Sequence, residues 1–272
     1  MPELPEVETS RRGIEPHIIN RSVTQVIIRQ KKLRWPIPGV LKKILINESI
    51  QQVERRGKYI LLRTKAGTVI LHLGMSGSLR ILDRSIAAEK HDHFDIVFDN
   101  NKVLRLRDPR RFGSVLWTTK ADPLKHKLLK DLGPEPLDDV FNAQYLFDIS
   151  RNRKIPVKTF LMNSHIVVGV GNIYANESLF SAGINPKRAA NKISLARYEK
   201  LVPTIKSILK KSIEQGGTTL KDFINEEGKP GYFQQTLSVY GRTGEPCINC
   251  KKPIKQITQA QRSTFYCTSC QK

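Results

Sequence analysis

The sequence predicts a two-domain α+β protein that ends in a metal-binding hairpin. Three observations lead there. Short runs rich in β-branched and aliphatic residues fill positions 22–119, the periodicity turns helical between 143 and 215, and all four cysteines fall within the last 26 residues. At 272 residues the chain is long enough to bury a sizeable core in two domains.

The elements follow in order. In the opening MPELPEVETSRR, residues Pro5, Glu6 and Glu8 suit the start of a helix. Proline is tolerated in a first turn, and carboxylates favour the positive end of the helix dipole. Pro2 and Glu3 are not explained by that account. Eight strand-like runs come next: 22–30, 49–56, 58–64, 68–73, 78–83, 93–99, 102–108 and 114–119. Turns such as KAGT, GMSG and DNN part them, and their number and spacing suggest an all-β sandwich or barrel.

The proline-rich, acidic stretch LGPEPLDDV (132–140) breaks this rhythm and sets the boundary of a first domain, 1–133. Helical patterns follow in AQYLFDIS, IPVKTFLMNS, IYANESLFSAG and the long 194–215 run, in which Pro203 is expected to kink or interrupt the helix near its start. The glycine-rich stretch 216–235 reads as a long loop, and loops of that length are usually functional or disordered. It closes a second domain, 134–235, and the tail 236–272 returns to hairpins around the cysteines.

Charge narrows the function. Lys and Arg number 46 against 25 Asp and Glu, a formal net charge of +21. Such an excess points to a polyanionic partner, nucleic acid or an anionic membrane. The membrane is disfavoured, since the chain shows no run of eighteen apolar residues, no signal peptide and no lipidation motif. The cysteines form two pairs, Cys247–Cys250 and Cys267–Cys270, sixteen residues apart. Two such knuckles close a tetrahedral, structural zinc site with no open position for water, so catalysis must lie elsewhere. Two disulfides fit poorly in a chain without an export signal.

Other motifs stay open on the residues alone. Gly169 and Gly171 precede a helix with Asn172 as its expected N-cap, which would suit a phosphate, although on these residues alone an ordinary helix–helix turn is favoured. Arg110, Arg111 and Phe112 stand at a strand end, where Phe112 could enter a base stack or be buried. Met75 lies in a glycine-rich turn, as core or wedge. KHDH (90–93) is weak evidence for a metal, with phosphate contact or plain solvation favoured.

Together, PELPEVET, RRGKY, HLGMSG, KHDH, DPRRFG, VGVGNIYANE, GKPGYF and the cysteine tail with QAQRSTFYC resemble bacterial formamidopyrimidine-DNA glycosylase, in order and across the whole chain. The resemblance implies an N-terminal helix plus eight-stranded β-sandwich, a helix–two-turn–helix domain and a zinc-ribbon hairpin holding one structural zinc, with no redox or organic cofactor. DNA would bind between the two domains. It also implies a base-excision repair enzyme that removes 8-oxoguanine opposite cytosine and formamidopyrimidines, then cuts the strand by β,δ-elimination.

Roles transfer by position. Once Met1 is removed, Pro2 resembles the nucleophile and Glu3 its acid/base. Lys58 and Arg262 resemble the proton donors of β- and δ-elimination. Met75, Arg110 and Phe112 match the residues that fill the space left by the flipped nucleotide. His72, Asn172 and Tyr240 resemble phosphate contacts, and His91 and Lys154 other DNA contacts. Thr218, Thr219, Lys221, Phe223 and Tyr232 match the lid over the extruded base. Gly57 and Thr159 are minor departures near functional stretches. The implied protein acts as a monomer on damaged double-stranded DNA in the bacterial cytoplasm, associated with the nucleoid.

Two other classes remain: a catalytically silent DNA binder with the same charge and zinc hairpin, and an endonuclease VIII-like enzyme for oxidised pyrimidines. Pro2 and Glu3 argue against the first, because a pure binder needs no prolyl amine beside an acid. The wedge and lid residues argue against the second.

Overall fold

The computed structural model describes residues 2–216 and 237–272, which divide into two compact units, 2–130 and 131–214 with 237–272. The first unit begins with α1 (Leu4–Ile18). Val7, Ile14 and Ile18 lie on one side of it and join the core, while Glu8, Arg11, Arg12 and Glu15 form a polar face. Each such buried aliphatic side chain contributes about 1.5–3 kcal/mol.

Eight antiparallel strands follow: β1 (Val23–Ile28), β2 (Gln52–Arg56), β3 (Tyr59–Arg63), β4 (Thr68–His72), β5 (Ser78–Asp83), β6 (Asp92–Phe98), β7 (Lys102–Arg107) and β8 (Ser114–Thr118). They pair as two four-stranded sheets, β1-β6-β7-β5 and β2-β3-β4-β8. The choice between sandwich and barrel is thereby resolved as a sandwich. Its core alternates from both sheets: Val26, Phe94, Ile96 and Leu104 meet Val53, Ile60, Leu62, Val69 and Leu71. A one-turn helix, α2 (Leu41–Ile44), adds Leu41 to that core.

The second unit contains α3 (Ala143–Ser150), α4 (Val157–Leu161), α5 (Asn172–Ser181) and α6 (Leu195–Glu214), then the hairpin β9 (Lys255–Gln259) and β10 (Arg262–Tyr266). The expected interruption at Pro203 is corrected: α6 runs unbroken through it. Pro203 and Glu199 are both exposed, so the carbonyl deprived of its partner can be hydrated. Tyr198, Leu201, Val202, Ile205 and Leu209 form the buried stripe. α5 is buried on nearly all sides between α6 and β10, its Tyr174 hydroxyl 2.6 Å from Ser212 Oγ and its Asn176 accepting the Phe265 amide at 2.8 Å. Among the described residues, no helix is long and apolar enough to cross a membrane.

Candidate active site and nucleic-acid interface

Pro2 and Glu3 are both buried, and Glu3 is the residue from which α1 starts. The Glu3 amide donates to Glu6 Oε2 at 2.8 Å, the reverse arm of a capping box. Glu6 therefore does more than begin a helix: it fixes the backbone between Pro2 and the first turn. Glu8 also does more than the sequence suggested. It accepts from Arg11, from Arg12 Nε at 2.9 Å and from Arg55 Nε at 2.9 Å. Burial pushes the Glu8 carboxyl up, but the Arg11 hydrogen bond and charge, with Arg12 and Arg55, hold it below the usual carboxylate range. Arg55 in turn donates to the Gly57 carbonyl at 3.1 Å. Glu8 and Arg55 thus tie α1 to the β2–β3 turn that carries Lys58.

His72 ends β4 opposite Tyr59, their rings tilted at 4.8 Å. Its Nδ1 accepts the Gly74 amide at 3.0 Å, so the neutral ring carries its proton on Nε2. Burial, then the charges of Lys58 and Arg34, bring its pKa down to about 4. The ring is therefore neutral at pH 7 and can donate from Nε2 to a phosphate oxygen. The unfolded chain protonates His72 near the ordinary pKa of about 6.5, so the fold loses stability as pH falls from there to about 4. An NMR titration of the free protein should place the His72 midpoint near 4, rising when a phosphate binds. A midpoint near 6.5 in the free protein would contradict this environment.

The wedge candidates stand on two loops braced by one carboxylate. Asp108 is fully buried; its Oδ1 accepts Ser76 Oγ–H at 2.8 Å and its Oδ2 accepts the Gly113 amide at 2.7 Å. Ser76 Oγ in turn accepts the Arg110 amide at 3.2 Å. The loops also touch at Gly74 (φ +65°), where a Cβ would lie 2.4 Å from the Phe112 carbonyl carbon. Only glycine fits there on both counts. On this platform Met75 is 37% and Phe112 49% exposed. Both alternatives left open by the sequence close the same way: neither side chain is core. Arg110 Nη2 lies 3.5 Å from the Met75 carbonyl, and Arg111 takes a positive φ of 56° to turn the chain.

KHDH separates into different roles. Asp92 is buried and paired with Arg80 at 2.7 Å, and His93 Nε2 sits 2.9 Å from the Asp108 carbonyl. These two are structural, not solvated or phosphate-facing as the sequence suggested. His91 alone of the motif's histidines is partly exposed.

In the second unit Asn172, Arg262 and Tyr240 gather around β10. Asn172 is the first residue of α5 and Gly171 the cap, which corrects the N-cap expectation. The reason is the tertiary contact its side chain makes instead: Nδ2 donates to the Ser263 carbonyl at 3.1 Å, while Oδ1 is buried without a partner among the described residues. Lys158 Nζ donates to the same carbonyl at 2.9 Å and to Thr264 Oγ1 at 2.8 Å. Arg262, exposed, follows a two-residue turn in which Ala260 and Gln261 both take positive φ (46° and 61°), the geometry that matches strand twist in tight hairpins. The Glu177 carboxylate accepts the amides of Ser238, Val239 and Tyr240 at 2.8–3.0 Å, and the Tyr240 ring meets Phe265 edge-on at 5.0 Å. Lys154 is exposed in the loop before α4 and joins none of these contacts. Thr218, Thr219, Lys221, Phe223 and Tyr232 lie outside the described residues.

The four cysteine sulfurs of Cys247, Cys250, Cys267 and Cys270 lie within 4.8 Å of one another, with pairs at 3.4 and 3.9 Å. Thiolates about 2.3 Å from a tetrahedral zinc stand roughly 3.8 Å apart, so the set fits a structural zinc. Cys247 and Cys267 pack in a cluster with Phe180, Val239, Ile254 and Phe265.

Sequence reasoning missed Asp108, Ser76, Glu8 and Glu177. Each also has a partner 32 to 63 residues away, and no local pattern marks such pairs.

The chain matches three family models: the formamidopyrimidine-DNA glycosylase N-terminal domain over residues 1–115, the formamidopyrimidine-DNA glycosylase H2TH domain over 132–224, and a zinc finger found in FPG and IleRS over 244–272. It is 56% identical over 271 residues to a formamidopyrimidine-DNA glycosylase of Nitrosococcus oceani, covering 100% of each chain. Among solved structures it superposes on the MutM (Fpg) protein of Thermus thermophilus with a TM-score of 0.88 at 33% identity, covering 99% of this chain and 98% of the other. It superposes on the Lactococcus lactis Fpg bound to DNA containing an abasic site with a TM-score of 0.91 at 33% identity, covering 99% of each chain.

Proposed function

The chain belongs to the formamidopyrimidine-DNA glycosylase family, base-excision repair glycosylases with AP lyase activity, and from that premise we propose how its own residues carry the reaction. Removal of Met1 leaves the Pro2 nitrogen as a secondary amine. An α-amine has a reference pKa of about 7.7–8.0 against about 10.4 for lysine, so it is far more often unprotonated near neutral pH. Its lone pair attacks C1′ of the damaged nucleotide. The glycosidic bond breaks and the base leaves protonated; the attached nitrogen gives up its proton and then expels O4′, which is protonated through Glu3, so the sugar ring opens and the nitrogen and C1′ form an iminium.

That cation acidifies the C2′ hydrogens. Loss of one expels the 3′ phosphate with Lys58 as proton donor, and a second elimination expels the 5′ phosphate with Arg262 in that role. The substrate base must first leave the stack, at a cost of a few kcal/mol. Met75, Arg110 and Phe112 fill its place. His72, Asn172 and Tyr240 hold phosphates, with His91 and Lys154 as further contacts, and the lid residues between Thr218 and Tyr232 cover the extruded base. Two Fpg structures from Lactococcus lactis carry DNA with Fapy-dG or an abasic site, which supports damaged duplex DNA as the partner here. We place catalysis in residues 1–133, DNA binding in 134–235 and the zinc hairpin in 236–272. The protein is expected to act as a monomer in the cytoplasm, with the nucleoid.

The observation that carries this reading is the placement of Pro2 and Glu3, both buried directly ahead of α1 with the Glu3 amide held by Glu6. Borohydride reduction should trap the protein covalently on duplex DNA containing 8-oxoguanine opposite cytosine, more efficiently than on oxidised pyrimidine. Processed protein with a confirmed Pro2 terminus and no adduct would end the reading.

A further inference from the structure

The segment Lys31–Ile37 is a small rigid clip that none of the roles above includes. Its ends close through the Ile37 amide on the Lys31 carbonyl at 2.9 Å and the Leu33 amide on the Trp35 carbonyl at 3.1 Å. Leu33 and Ile37 are buried in the sandwich core, which leaves Lys31, Lys32, Arg34 and Trp35 outward. The Arg34 amide donates to the Gly113 carbonyl at 3.1 Å. Gly113 is the residue after Phe112, and its own amide is held by Asp108. The clip and the wedge loop are therefore fastened at one residue.

Many arginines of this unit are matched to acids: Arg11, Arg12 and Arg55 to Glu8, Arg29 and Arg105 to Asp95, Arg80 to Asp92, Arg63 to Glu54. Arg34 is not one of these. Among the described residues no carboxylate pairs with Arg34, and its guanidinium makes no hydrogen bond. Its charge instead acts on His72 and on Tyr59, the same neighbourhood in which Lys58 acts. The Arg34 charge thus adds to the field around His72, the group expected to meet a phosphate. Beside them Trp35 is 45% exposed, an unusual position for so large an aromatic, and its indole can pack on a sugar while its N–H donates.

We propose that the Lys31–Ile37 clip is a further DNA-contact element, in which Arg34 binds a backbone phosphate next to the one met by His72 and Lys58, and Trp35 packs on the adjoining deoxyribose. The clip positions the strand against the wedge, because Gly113 links the two. This rests on the reading that damaged DNA lies across His72 and Phe112.

The test uses the full, zinc-loaded chain and a duplex carrying a tetrahydrofuran abasic analogue. Arg34→Ala should weaken binding about tenfold and reduce the slope of log affinity against log salt by about 0.9, the share of one phosphate. Arg34→Lys should restore the slope. In Trp117→Phe, which leaves Trp35 as the one tryptophan, fluorescence should change on adding the duplex. An Arg34→Ala protein with wild-type affinity and slope overturns the phosphate contact, and an unchanged Trp35 signal overturns the stacking. Borohydride trapping of the wild-type protein tests the underlying reading separately, so the two failures cannot be confused.

Discussion

Protein in which Met1 is retained is expected to bind damaged duplex and yield no borohydride adduct at all. The Pro2 nitrogen is then an amide, its lone pair delocalised into the carbonyl, and no iminium can form. Pro2→Gly keeps a terminal amine but loses the ring that fixes its direction. Since a misplacement of about 1 Å can cost on the order of 10²-fold in rate, single-turnover excision should slow by that order while binding persists. Mass spectrometry of the amino terminus, read beside trapping on the same sample, checks both. An adduct from uniformly Met1-bearing protein would move the nucleophile to another residue.

Stripping the metal should have an effect of comparable size by another route. Structural zinc supplies about 10–16 kcal/mol of apparent binding energy in small cysteine sites. Here the four sulfurs are the joint between the two ends of the last 26 residues, and Cys247 and Cys267 are fully buried. Chelation, or Cys250→Ser, should free β9 and β10 and with them Arg262 and the carbonyl that Lys158 and Asn172 share. DNA affinity should fall below detection, while amide exchange in the sandwich strands stays slow. Full affinity in verified metal-free protein would show that the hairpin holds its shape without zinc.

Much of this was legible in the chain. The eight strands announced themselves by composition and turns, and the cysteine spacing named its metal. Those signals are local: β-branched and aliphatic runs, a two-residue gap, a glycine turn. What stayed hidden is long-range pairing. Glu8 reads as a helix-start acid until Arg55, 47 residues on, is seen to hold it. Asp108 reads as a turn residue until it is found bridging Ser76 and Gly113. Asn172 reads as a cap because Asn often is one, and only the carbonyl of Ser263 shows why it moved one place inward. Exposure at Met75 and Phe112 was likewise undecidable, since an apolar side chain at a turn carries no mark of which way the loop faces.

The Asp108 brace has a consequence for how DNA is searched. A loop that must be ordered at each encounter adds its own conformational entropy to every base pair tested. Here Asp108 holds both loops by hydrogen bonds made within the folded unit, so on the proposed reading the wedge would meet successive steps as a rigid probe. Whether a given pair yields then depends on the strength of that pair's own stacking and pairing, not on remodelling of the protein. On that reading, a lesion that weakens its helix would be found by its mechanical softness before its chemistry is read.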